Sequence, residues 1–243
     1  MLSVLVFALS CNAVGPGAFM TRTVMQPSSG GSPVTLIGSI HNGGGSFGGA
    51  SDSVSWTATA GSAYIVVWEW HDGTGVTTSS VTSVVAGSAT IKTASTKSSG
   101  NPNYTQIGTQ AAYFLSSTGG AETVTVNMSA GTFVWMHVYE VTAANFDQSS
   151  TSQSGSTGTI AAGTFTPAAN GAYLVVAGAV DDGIGSGSYF SAGTSFTITY
   201  NYGGGSFDAG GESFAQTTAA STNCAFGNTN SNSWVATAII MKP

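Results

Sequence analysis

The sequence predicts an all-β fold, an antiparallel β-sandwich of jelly-roll-like topology with an N-terminal extension, and three observations predict it. Short runs rich in β-branched and aromatic residues recur along the chain, and clusters of Gly, Ser, Asn and Asp separate them. No window of ten or more residues carries helical periodicity. Two of the runs are apolar on both faces, which a strand covered from both sides requires.

In chain order, residues 1–10 (MLSVLVFALS) form an apolar run resembling the core of a signal peptide. No Lys or Arg precedes it and no small-x-small cleavage site follows, so an ordered N-terminal strand remains the alternative reading. Ten residues are too few to span a bilayer. The stretch 15–33 is rich in Gly, Pro and Ser and reads as a linker, which sets the expected organisation as a tail over 1–33 and a single sandwich domain over 34–243. Strand patterns then follow at VTLIGSI (34–40), SVSWTAT (53–59), AYIVVWEW (63–70), VTSVVAG (81–87) and AAYFLSS (111–117). The later ones are ETVTVNM (122–128), TFVWMHVYEV (132–141), AYLVVAGAV (172–180), SFTITYNY (195–202) and SWVATAIIM (233–241).

Hydrophobic residues make up 42% of the 243-residue chain and charged residues 6%, against roughly 25% charged in an ordinary soluble domain. Its hydrophobicity is too high and its charge too low for a disordered chain, so a packed core is expected despite 34 glycines. Four basic residues, Arg22, Lys92, Lys97 and Lys242, cannot neutralise a row of phosphates, which excludes nucleic acid as a direct ligand. Cys11 and Cys224 do not make a disulfide framework, and neither a CxxC pair nor a Cys/His zinc spacing occurs, so both read as free thiols.

GSAYIVVWEWHDG (61–73) parallels NGAYLVVAGAVDDG (170–183), and GGGSF occurs at 43–47 and 203–207. This echo supports a duplicated architecture, although paired central strands of one sandwich would also look alike. The order of motifs, from VTLIGS through SVSWTAT, GSAYIVVWEWHDG, VTSVVAG and AYFLSSTGGAETVTVNMSAG to NGAYLVVAGAVDDG and the closing SWVATAIIMKP, resembles a β-sandwich module of tailed-phage virion proteins and bacterial secreted or surface proteins. The resemblance covers about residues 34–243. It implies a non-catalytic structural or adhesive module, often oligomeric, with no catalytic residues to carry over.

The candidate chemistry is thin. Gly44-Gly45-Ser46-Phe47-Gly48 fits the G-x-S-x-G elbow, but a strand pattern follows where a helix is needed. Neither glycine-rich copy has the Lys of a phosphate loop. Glu69, His71 and Asp72 end one strand and His137 and Glu140 lie on another, a set that reads as strand-end polar residues rather than a metal site. Asp181-Asp182-Gly183 reads as a turn. Asn103 and Asn127 stand in glycosylation-type triplets. No catalytic, metal or cofactor residue is therefore assigned, and the chain is expected not to be an enzyme.

The aromatic residues say more. In AYIVVWEW, Tyr64, Val66, Trp68 and Trp70 share one face and Ile65, Val67 and Glu69 the other, while TFVWMHVYEV places Trp135, His137 and Tyr139 together. Leaving two tryptophans in water forgoes about 1.5–3 kcal/mol each, so something must cover them. Trp68, Trp70, Trp135, His137 and Tyr139 are accordingly the expected interface or ligand face. The leading expectation is a structural subunit of a virion or surface assembly, such as a phage head-decoration or tail-appendage protein, located in the virion. Its partners would be copies of itself and other virion or surface-layer proteins. The alternative is a secreted or cell-surface adhesin that stacks carbohydrate on the aromatic face. No cofactor, nucleic acid or membrane span enters either reading.

Overall fold

The structure is a computed structural model that describes residues 31–41, 49–71, 78–92, 94–98, 106–181, 190–203, 207–228 and 233–243. Ser46, Asp72, Asn103, Asp182, Cys11 and nearly all of the expected tail and linker lie outside these residues. The described chain is antiparallel β-structure without a helix, and so has no helix long and apolar enough to cross a membrane.

The first half comprises β1 (Leu36–His41), β2 (Gly49–Ala58), β3 (Ala63–His71), β4 (Thr78–Ser83), the short β5 (Gly87–Ser88), β6 (Thr90–Ile91) and β7 (Ser95–Ser98), then β8 (Gln106–Phe114) and the long β9 (Gly120–Val141). β9 belongs to two layers. Its first part pairs with β2 and β4; its second part lies between β1 and β3, and β3 pairs on its other side with β8. The result is an inner sheet β1-β9-β3-β8 and an outer sheet β2-β9-β4-β5.

The second half comprises β10 (Asn145–Ser149), β11 (Gln153–Gly155), β12 (Thr159–Phe165), β13 (Ala172–Asp181), β14 (Phe190–Ser191), β15 (Thr197–Gly203), β16 (Asp208–Gln216), β17 (Thr222–Asn228) and β18 (Ser233–Lys242). Its inner sheet runs β10-β18-β13-β16-β15, with β11 also on β18, and its outer sheet runs β12-β17-β14. β13 occupies the place that β3 holds in the first half, each flanked by the closing strand of its half and by the strand that follows in the sheet. The echo between residues 61–73 and 170–183 thus corresponds to equivalent strands of two sandwiches built on one plan. The GGGSF copies fall largely outside the described residues.

Each half has its own core. Tyr64, Val66, Trp68 and Trp70 of β3 pack with Val54, Val81, Val124 and Val126 between the first two sheets. Leu174, Val176, Ile240 and Phe226 do the same in the second half. A third core joins the halves, because Ile65, Val67, Tyr139 and Val141 of one inner sheet meet Tyr173, Val175, Ile239 and Met241 of the other. This explains the strands that are apolar on both faces: every residue of β3 and residues 134–141 of β9 are buried, as is every residue of β13.

Candidate functional site

The side chains expected to form an interface or ligand face divide between two interiors. Trp68 and Trp70 are 0% and 1% exposed inside the first sandwich, so neither a second subunit nor a sugar can reach them. That part of the expectation is corrected: their cover is the outer sheet of their own half. Trp135, His137 and Tyr139 alternate onto the opposite face of β9, toward the second half. Tyr139 is sealed there, and its hydroxyl donates to Thr199 Oγ1 at 2.5 Å while Thr199 in turn donates to the Gly211 carbonyl at 3.0 Å. Trp135 and His137, though almost fully buried, help to line a cleft.

The cleft of about 160 Å³ lies where β15 crosses the β1–β9 edge, and His41, Trp135, His137, Tyr200, Asn201 and Tyr202 shape it. Register builds one wall: His41 stands opposite His137 across the β1–β9 ladder. The β15 ladder builds the other, bringing Tyr200 and Tyr202 opposite Gly211 and Ala209. Gly211 is needed here, since a Cβ on it would stand 2.2 Å from the Tyr200 ring.

Two ring stacks result. His137 is held between His41, with centroids 5.6 Å apart, and Tyr200, 4.4 Å away, both nearly parallel to it. Trp135 lies against Tyr202 at 5.0 Å and Phe207 at 4.6 Å, and His71 stacks on Phe207 at 4.6 Å. All three histidines of the chain therefore stand in one zone. Burial pushes His137 down to about 3, with the neighbouring His41 adding to the effect, and burial pushes His71 down to about 4. Both imidazoles are neutral at physiological pH. Neither ring nitrogen of His137 has a hydrogen-bond partner, and Asn201 Oδ1 is likewise buried and unpartnered.

Glu69 lies below the cleft, fully buried, and accepts a hydrogen bond from the Tyr200 hydroxyl through Oε1 while Oε2 makes none. Burial holds its carboxyl well above the usual range, the Tyr200 bond opposing this. Glu140 points the other way, accepting from Trp56 Nε1 at 3.1 Å and the Thr59 amide at 2.6 Å. Among the described residues no three His, Cys, Asp or Glu side chains converge as a metal would require. Cys224 is buried in the second core with its thiol pushed up to about 12, first by burial and then by Glu212, which keeps it protonated and poorly nucleophilic.

Sequence reasoning reached Trp135 and His137 through their alternation but missed His41, Tyr200, Asn201 and Tyr202. The Tyr-Asn-Tyr step at 200–202 was a usable signal, because alternation puts both rings on one face. Comparison of the chain with protein-family models, with curated proteins and with solved structures finds no match.

Proposed function

We propose that the chain is a non-enzymatic structural subunit of a virion or surface assembly, a phage head-decoration or tail-appendage protein that works as a homo-oligomer. The observation that carries this reading is the first strand. Among the described strands β1 pairs with β9 alone, so its outer rim is a sheet edge, and Leu36 and Ile37 on it are 40% and 44% exposed. Long apolar edges invite further strands, and proteins that do not use them blunt them with charge or proline. LIGSIH carries no Lys, Asp, Glu or Pro. Strand addition at such an edge supplies backbone hydrogen bonds together with apolar contact, a mode of joining that needs few charges. It suits a chain with four basic and ten acidic residues. The order of strand motifs that resembles phage and surface modules supports the same setting.

The test is native mass measurement of the full chain, together with the double substitution Leu36→Lys and Ile37→Lys. A defined oligomer that the double variant reduces to monomer, with its β-sheet spectrum retained, supports the reading. A strictly monomeric wild-type chain that is absent from purified particles and surface layers overturns it.

A further inference from the structure

Residues 192–195 carry the chain from β14 of the outer sheet to β15 of the inner sheet in the second half. Ala192, Thr194 and Ser195 are exposed and Gly193 is half-buried. Gly193 lies against β17, so close that a Cβ on it would stand 2.2 Å from the Ala225 carbonyl oxygen. Among the described residues one hydrogen bond ties this segment to another element: the Gly193 amide donates to Glu212 Oε2 at 2.7 Å. Ser195 holds φ at 73°, a left-handed backbone that disfavours every residue with a side chain. The segment is therefore strained, exposed and fastened at one point.

The fastening point is unusual. Glu212 is fully buried, and its Oε1 has no hydrogen-bond partner. Its cross-strand neighbours are Val176 on β13 and Ile198 on β15, and Ile160 and Ala162 of β12 belong to the same apolar core. Cys224 of β17 is the titratable group beside it in that core, and Tyr139 of β9 feels its charge from the central interface. No described cation is at hand: Lys92 lies over the Phe146 ring, Lys97 bonds the Gly155 carbonyl and Lys242 pairs with Asp147. The three histidines stand in the zone around Trp135 and Phe207. A carboxylate in this place would have one amide and no counter-charge to replace its water.

We propose that Glu212 and residues 192–195 form a pH-sensitive latch, closed while the carboxyl is protonated and releasing the side of the second sandwich, next to Cys224, as the proton is lost.

In the open form the carboxyl meets water and ionises near its ordinary value of 4.5, whereas in the closed form burial raises it to about 7. Between these values opening releases a proton, so the open population grows as pH rises. The growth is about tenfold per pH unit and at most about 300-fold over the window. Above about 7 the carboxyl is ionised in both forms and the dependence ends.

The experiment is labelling of Cys224 by 4,4′-dithiodipyridine from about pH 5 to 8, on the full chain with Cys11→Ser, with and without Glu212→Gln. Thiolate reactivity alone raises the rate about tenfold per pH unit in both proteins. The chain with Glu212 should instead climb about a hundredfold per unit up to about pH 7 and tenfold above it. Glu212→Gln keeps an acceptor for the Gly193 amide and cannot ionise, so its rate should climb tenfold throughout. Hydrogen exchange at the Gly193 amide should show the same excess, and the Val66 and Val138 amides of the first sandwich should not. An excess slope confined to the second half, insensitive to low urea and abolished by Glu212→Gln, supports the latch. Equal slopes in the two proteins, an excess shared by Val66 and Val138, or labelling that tracks global unfolding in urea overturns it. Should Glu212→Gln not fold, exchange in the wild-type chain decides: an excess slope at Gly193 alone supports the latch and its absence overturns it.

Discussion

Replacing Gly108 with alanine should destabilise the first sandwich through one side chain. Gly108 on β8 stands opposite Trp70 in the β3–β8 ladder, and a methyl group there would lie 2.2 Å from Cζ2 and 2.3 Å from Cε2 of the indole. Favourable carbon contacts begin near about 3.5 Å, so the ring must retreat by roughly 1.3 Å. Trp70 is 1% exposed, packed in the first core, and has nowhere to go. Overpacking of this kind costs about 1–3 kcal/mol. Alanine returns about 0.4–1 kcal/mol by restricting the unfolded chain. The net loss is about 1–2 kcal/mol, which for a body of this size lowers Tm by roughly 2–8 °C. The mechanism is tested by a double-mutant cycle in urea. Trp70→Leu alone should cost about 3 kcal/mol by leaving a cavity, and in that background Gly108→Ala should cost nothing or stabilise slightly, a coupling of roughly 1–3 kcal/mol. An equal cost for Gly108→Ala in both backgrounds would refute the argument and place the intolerance elsewhere.

Two further predictions concern pH. The folded state holds His71 down to about 4 and His137 down to about 3, whereas the unfolded chain titrates near about 6.5. Protons therefore bind the unfolded chain first, and stability should fall as pH drops from about 6.5 toward 4 and then 3. Urea midpoints at several pH values should show a shallower acid loss in His137→Asn than in the wild type, and parallel curves would count against burial of a neutral imidazole. Glu212 works in the opposite sense. Burial raises its carboxyl to about 7, with the Gly193 amide bond at 2.7 Å opposing the shift. Its contribution is fully present below about 4.5, the ordinary value, and is lost as pH rises through about 7. Glu212→Gln should remove that decline between about pH 4.5 and 7, and an unchanged slope would remove the residue as its source.

The class of fold was legible because the strand signal is local. AYIVVWEW and TFVWMHVYEV are apolar on both faces, and that alone required two coverings. The identity of the covering was not legible, since it depends on pairings between distant segments: Glu69 and Tyr200 meet across 131 residues. Some strands escaped notice for a physical reason. DAGGESFAQ in β16 has small side chains where its neighbours' rings lie across it, with Phe190 over Gly210 and Tyr200 over Gly211. Its β character resides in those neighbours, not in its own propensity. Likewise ETVTVNM and TFVWMHVYEV read as two strands and form one, because Ser129-Ala130-Gly131 stays within the strand, at a register irregularity between the pairings of Asn127 and Thr132, instead of turning. At the cleft, alternation revealed Trp135 and His137, while His41 became visible only once register placed it opposite His137.

That merged strand, β9, ties the two layers of the first half together. Its 22 residues belong to the outer sheet at one end and the inner sheet at the other. In the second half the corresponding described strands are β17 on the outer sheet and β18 on the inner one. A load applied to the outer layer of the first half is transmitted along a single extended backbone into the sheet that contacts the second half. Peeling the outer layer of the first half should therefore draw on the central interface, so the two layers should open together rather than one after the other.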